Sequence, residues 1–152
     1  MASREVEVVT YLRQDEPLGE LAPGGIYADS DLPTAGLTDQ ENGDVWAGGV
    51  FQDTLVVRER APVPTGDLQS IASQHTSMSQ AIEVWGYSTD PAALQAMMDR
   101  VYTLMMGKRL AKAFSATWVG GMPRTQAPEL PSGTFTRHED YRVVSIRTPV
   151  EV

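Results

Sequence analysis

Polar and apolar residues alternate over Gln80–Tyr87, QAIEVWGY, placing Ile82 and Val84 on one side and Ala81, Glu83, Trp85 and Tyr87 on the other. That is the period of a β-strand. Beyond the turn STDP the period changes. Leu94, Met97, Met98, Val101, Leu104 and Met105 recur at spacings of 3, 1, 3, 3 and 1, which lines one face of a 3.6-residue helix and predicts packing across a sheet. Asp90 predicts the N-cap, because Pro91 then takes the first helical position, where a missing N–H costs nothing. Gly107 predicts the stop in the left-handed conformation, with Lys108 and Arg109 matching the negative end of the dipole. Continuation to Leu110 or Lys112 is the alternative, at about 1 kcal/mol for an internal glycine.

At the N-terminus, Val6, Val8, Val9 and Leu12 give an apolar stripe over Arg4–Gln14. Ser3 is placed to cap it, Glu5 and Glu7 lie in its first turn, and Pro17 ends or restarts it before a short turn of helix at Leu18–Leu21. Pro23, Gly24 and Gly25 break the chain ahead of a short strand at Ile26-Tyr27. Thr54–Arg60 alternates again, Leu55 and Val57 opposing Thr54, Val56, Arg58 and Arg60, and predicts a half-buried strand that pairs with Gln80–Tyr87 in a wide hairpin. Further strands are predicted at Phe114–Val119 and Tyr141–Thr148. Three stretches lack periodicity: 29–53, 61–79 and the three-proline segment 120–133. They read as long loops, and loops of such length are commonly functional. Together these elements predict one α/β (α+β) domain over 1–152, with a mostly antiparallel sheet, two helices packed on it and long extended loops. With 152 residues, such a domain has enough chain to bury a sizeable core.

Charge changes the picture of the first loop. Residues 1–53 hold 11 acidic side chains against Arg4 and Arg13, a net of −9, whereas 54–152 hold 9 acidic and 10 basic, a net of +1, summing to the chain's −8. An acidic zone argues against a grip on nucleic acid, which needs clustered Lys and Arg. It suits solubility, a basic partner, or a polyanion that must slide past. The absence of cysteine removes disulfides and thiolate chemistry. No run of about 18 apolar residues predicts a membrane span, and MASREVEVV lacks the order of a secretory signal.

Candidate chemistry is sparse. His75 and His138 are the two histidines, too few for HExxH spacing or a His-rich metal site, and each reads as a surface or loop residue. Ser77 or Ser79 with His75 lacks the G-x-S-x-G elbow. Asp39–Asp44 fails as a calcium loop, since the glycine is fifth and the twelfth position is Val50. The pairs Gly24-Gly25, Gly48-Gly49 and Gly120-Gly121 read as turns rather than phosphate cradles. Catalytic, cofactor-binding and metal residues are therefore expected to be none. Trp85 and Trp118 read as sheet packing, whereas Trp46, with Val45, Val50 and Phe51 in the acidic loop, is open to two readings: an interface anchor or packing within the arm. The candidate interface residues are Asp39, Glu41, Asp44, Trp46 and Phe51, with Arg58, Arg60 and Arg124.

In their order, these parts resemble the tail terminator proteins of long-tailed bacteriophages. VVTYLRQDEPLGELAPGGIYADSDLP is similar to that family's opening helix, Leu-containing turn and approach to the first strand, here Gly25-Ile26-Tyr27 and Pro33. AIEVWGYSTDPAALQAMMDRVYTLMMGKR resembles its strand-turn-helix with a stop at Met105-Met106-Gly107, and Tyr141–Thr148 its final strand. Gly25 stands where the family often has Arg, and the loops at 36–53 and 61–79 are longer. The resemblance implies a non-enzymatic virion protein, usually a hexameric ring, that ends polymerisation of the tail tube. Its implied partners are further copies of itself, the major tail tube protein and a neck or head-completion protein. Genomic DNA would pass through the lumen without specific binding, with no membrane involved. The implied location is the neck end of the tail, and host cytoplasm during assembly. On that reading some carboxylates of 29–53 line the lumen or meet a basic neighbour. A head-completion or stopper neck protein, and a small ligand- or peptide-binding α/β module, are the alternatives.

Overall fold

In a computed structural model the described residues are 3–32, 36–64, 76–111, 113 and 115–147. Helix α1 (Arg4–Arg13) starts where expected, Ser3 Oγ accepting from Val6 N–H at 3.4 Å. Helix α2 (Glu16–Leu21) follows after one break, because Asp15 recaps the chain by accepting from Leu18 N–H at 3.0 Å and Pro17 is tolerated in a first turn. Helix α3 (Pro91–Met105) is capped by Asp90 on Ala92 N–H, and Gly107, at φ 77°, ends it as predicted. Asp15 also receives both arms of Arg100 from α3, at 2.7 and 2.8 Å, tying the helices into one layer.

The strands are β1 (Gly25–Ala28), β2 (Thr54–Glu59), β3 (Val63–Pro64), β4 (Thr76–Ser88), β5 (Thr117–Gln126) and β6 (Phe135–Arg147). They form one mixed six-stranded sheet in the order β1-β2-β4-β6-β5, with β3 pairing beside β4. Only β1–β2 is parallel among these pairings; β2–β4 is the expected antiparallel hairpin, with Val57 opposite Val84. With three helices packed on this sheet, the chain has an α+β fold.

One face of the sheet carries Ile26, Leu55, Val57, Ile82, Val84, Tyr141 and Val143, buried against Val8, Val9 and Leu12 of α1 and Leu94, Met97, Met98, Val101 and Met105 of α3. The stripe read from α3 is that core, except that Leu104 lies at its margin, half-buried. The opposite face was expected to be open at β2. It is not: Val56 is fully buried, because segment 29–53 folds back over it.

Three strand boundaries differ from the sequence pattern. β4 starts at Thr76 rather than Gln80, β6 at Phe135 rather than Tyr141, and β5 runs through most of the segment expected to be loop. In the added parts of β4 and β6 only Phe135 packs against the main apolar core, so alternation does not mark them. In β6 the positions carry Arg137, His138, Glu139 and Asp140, which are satisfied by an Arg137–Glu139 ion pair and a His138–Asp140 hydrogen bond instead of burial among hydrocarbons. In β5 Gly120, at φ 135°, sits at a bulge where the register slips between Trp118 and Gly120. A Cβ on Gly121 would stand 2.4 Å from the His138 carbonyl oxygen. The glycine pair read as a turn is thus a bulge plus a close approach of two backbones. The remaining loop is the short 127–134 turn, closed by Ala127 N–H donating to Thr134 O at 2.9 Å.

Candidate interaction surface

The acidic segment 29–53 is a folded arm rather than an extended one. It contains short 3-10 turns at Asp29–Asp31, Gly36–Thr38 and Ala47–Gly49. Leu37, Val45, Trp46 and Phe51 pack with Val56, Tyr87, Ala127 and Leu130 into a second core. Trp46 meets Phe51 edge-on at 5.4 Å, and its indole N–H donates to Leu37 O at 2.9 Å. Trp46 and Phe51, read as candidate anchors, are therefore interior: Trp46 is 9% exposed and Phe51 5%. The polar residues that look like loop composition close the turns. Asp39 accepts from Glu41 N–H at 3.1 Å, and Asn42 Oδ1 from the amides of Asp44 and Val45. Glu41 and Asp44 themselves are exposed.

The root of the arm is stitched to the helical layer by Glu5. This buried carboxylate accepts from Ser30 N–H at 3.1 Å and Glu59 N–H at 3.3 Å, a role that its reading as a first-turn helix residue missed. Arg58 reaches Asp29 at 3.1 Å and lies over the Trp85 ring at 4.8 Å. Trp85 stacks on His138 at 4.3 Å, and His138 Nδ1 is 2.7 Å from Asp140. His138 was expected on the surface and is buried. Arg60 pairs with the buried Glu83, which also accepts from Trp85 Nε1 at 3.1 Å. Burial raises the Glu83 pKa, but the bonds from Arg60 and Trp85 outweigh it and hold the carboxyl below its usual range. Arg58 and Arg60 thus lock one network on the sheet, whereas Arg124 lies apart on β5, over Phe135 at 5.1 Å. His75 lies outside the described residues, as does Pro33. Among the described residues no group of three or more His, Cys, Asp or Glu is placed to hold a metal ion.

The surface that composition did not mark is β5. It ends the sheet, and it is exposed along nearly its whole length. Trp118 is 44% exposed, Val119 54% and Met122 52%, and Tyr102 and Met106 from the end of α3 join them. Tyr102 and Trp118 meet edge-on at 6.3 Å. Between α3 and β5 runs an open groove lined by Met98, Asp99, Tyr102, Trp118, Arg137 and Glu139, about 250 Å³. It continues past Met122, Pro123 and Arg124 into a second hollow of about 350 Å³. Glu139 is fixed at its base by Trp118 Nε1 at 2.6 Å and by Arg137 Nε at 2.8 Å. β5 thus gathers exposed apolar side chains on an unpaired sheet edge, an arrangement that monomeric proteins seldom leave without a use.

Fold and surface together define an α+β domain with a closed arm and an exposed edge strand, β5. No family model matches the chain, and no curated protein matches it. Among solved structures, a chain of one described as "Virion of native gene transfer agent (GTA) particle" has a similar fold, with a TM-score of 0.57 over 95% of this chain and 96% of that chain, at 13% sequence identity. At that identity the likeness is one of fold.

Proposed function

We propose that this chain is a structural, non-enzymatic subunit of a phage-like virion, of the tail-terminator kind. Copies close into a ring of about six, cap the head-facing end of the tail tube, end its polymerisation and join the tail to the neck. The observation that carries this reading is the match in fold, over nearly the full length of both chains, to a chain of a gene transfer agent virion. The order of elements, which resembles the terminator family, and the uncovered β5 edge support it. Small subunits form rings through heterologous contacts that close, and an edge strand exposed on both faces supplies one half of such a contact. The partners on this reading are further copies of the chain, the tail tube protein and a neck protein, with DNA passing through the lumen. The protein works in the virion after assembly in host cytoplasm.

The test is the mass of the purified protein by light scattering across a wide concentration range, with images of what forms and with tube protein added. Closed rings that bind tube ends and shorten tubes are the expected result. Rings that leave tube growth unchanged but bind the capsid neck would transfer the protein to the head-completion reading. A persistent monomer that binds no tube end would overturn the ring altogether and favour the ligand-binding module.

A further inference from the structure

We infer that the surface covering β5 is the acidic arm of a second copy of this chain, so that the subunits join head to tail, arm to edge strand. This rests on the ring reading and adds to it which two surfaces meet.

The inference begins with charge. Segment 29–53 carries Asp29, Asp31, Asp39, Glu41, Asp44 and Asp53 and no Lys or Arg. Among the described residues of 106–126, which lead into and contain β5, the charged ones are Lys108, Arg109 and Arg124, all basic. With Arg137, Asp99 and Glu139 of the adjoining groove counted, the described charges about the edge give a net of +2 against −6 for the arm, so the two are complementary between copies, and arm meets arm only against charge. That disfavours a symmetric dimer and favours the heterologous contact from which rings close.

Apolar surface follows the same division. The closed arm leaves Val50 63% exposed, while β5 and its approach expose Met106, Trp118, Val119 and Met122. Burial of such side chains supplies the free energy of association, and charge sets partner and register. The backbone of β5 argues that side chains make the contact. Its ladder with β6 is interrupted by register shifts at Trp118/Gly120 and Met122/Thr125, and Pro123 has no N–H to donate. Bulges and an edge proline block simple strand-to-strand addition, the route to open-ended growth. A folded arm lying on the face and groove is compatible with them.

Charge reversal tests this directly. One variant carries Arg109→Glu with Arg124→Glu, and the other Glu41→Lys with Asp44→Lys; all four side chains are exposed, and circular dichroism and thermal melting establish that both variants fold. Each alone is expected to associate at least about tenfold more weakly than the wild type. An equimolar mixture is expected to regain closed rings, because the reversed edge of one matches the reversed arm of the other and the two unchanged surfaces also match. Folded variants that assemble like the wild type, or a mixture that stays dissociated, would overturn the arm-to-edge contact while leaving the ring intact. An arm variant that forms normal rings but retains DNA would place these carboxylates in the lumen instead. A wild type that never assembles, with or without tube protein, would remove the ring reading and this contact together.

Discussion

The arm and β5 invert what composition leads one to expect of them. The arm is rich in Gly and Asp, yet it ends as a closed unit with a buried Trp, its own turns and a core shared with the sheet. β5 contains Trp, Val and Met and pairs with β6, yet most of its surface stays uncovered. What separates them is where each finds partners within the chain. The arm lies across Val56 and Tyr87 and buries against them, whereas β5 has β6 on one side and the end of the sheet on the other. Polarity therefore misleads as a guide to which segment awaits another molecule, and closure is the better guide.

The comparison breaks most sharply at Trp46. Trp46→Ala removes the centre of the second core and the bond to Leu37, and should lower stability by about 3–5 kcal/mol in denaturant unfolding. A loss near zero would mean that the arm is an ornament on the sheet. Next in size is Gly121→Ala. Its new methyl would press on the His138 backbone, a clash that side-chain motion cannot relieve, so a loss of about 1–3 kcal/mol and weakened protection of β5 amides in hydrogen exchange are expected.

A change in neither region calibrates both. The Arg100 hydrogen bond holds the Asp15 carboxyl below its usual value, partly opposed by desolvation and aided by the Leu18 amide. A lowered folded-state pKa means that the stabilisation is complete above the unfolded value of about 3.9 and is lost as pH falls through the folded one. Melting temperature should therefore drop on acidification through that window, and Asp15→Asn should flatten this dependence while lowering the melting point at neutral pH. The smallest effect on folding is predicted for Met122→Ser. An exposed side chain should change unfolding by no more than about 0.5 kcal/mol, while ring formation in light scattering declines. If folding suffers instead, β5 is part of the closed core and the contrast with the arm fails.

Legibility in the sequence followed the same division. Asp90, Pro91 and Gly107 mark α3 because caps act through local backbone geometry, and Ile82 with Val84 mark a strand because both face a hydrocarbon core. The segment Phe135–Asp140 was not legible, since Arg137, His138, Glu139 and Asp140 are satisfied by polar pairing with one another and alternation of apolar residues carries no trace of that. Gly120, Gly121 and Pro123 spell a turn to any local rule, and only the approach of β6 makes them a strand. Of the candidate surface residues, Glu41, Asp44, Arg60 and Arg124 are exposed. Trp46 was open to two readings and packs within the arm, as does Phe51, because a large aromatic among polar residues has the same sequence signature whether it points out or in. Trp118, read as sheet packing, has its indole N–H anchored to Glu139 and much of its ring in solvent.

The parallel pairing of β1 with β2 sets a limit on how this protein can be rebuilt. Two antiparallel strands are joined by a two-residue hairpin, but parallel neighbours need a connection of about a dozen residues or more to return to the same end of the sheet. The arm is that connection. An engineer who trims 29–53 to a tight turn would therefore reverse the direction of one strand, and with it every later register in the sheet. Truncation has a floor, whereas additions at exposed positions such as Val50 leave the path between the two strands unchanged.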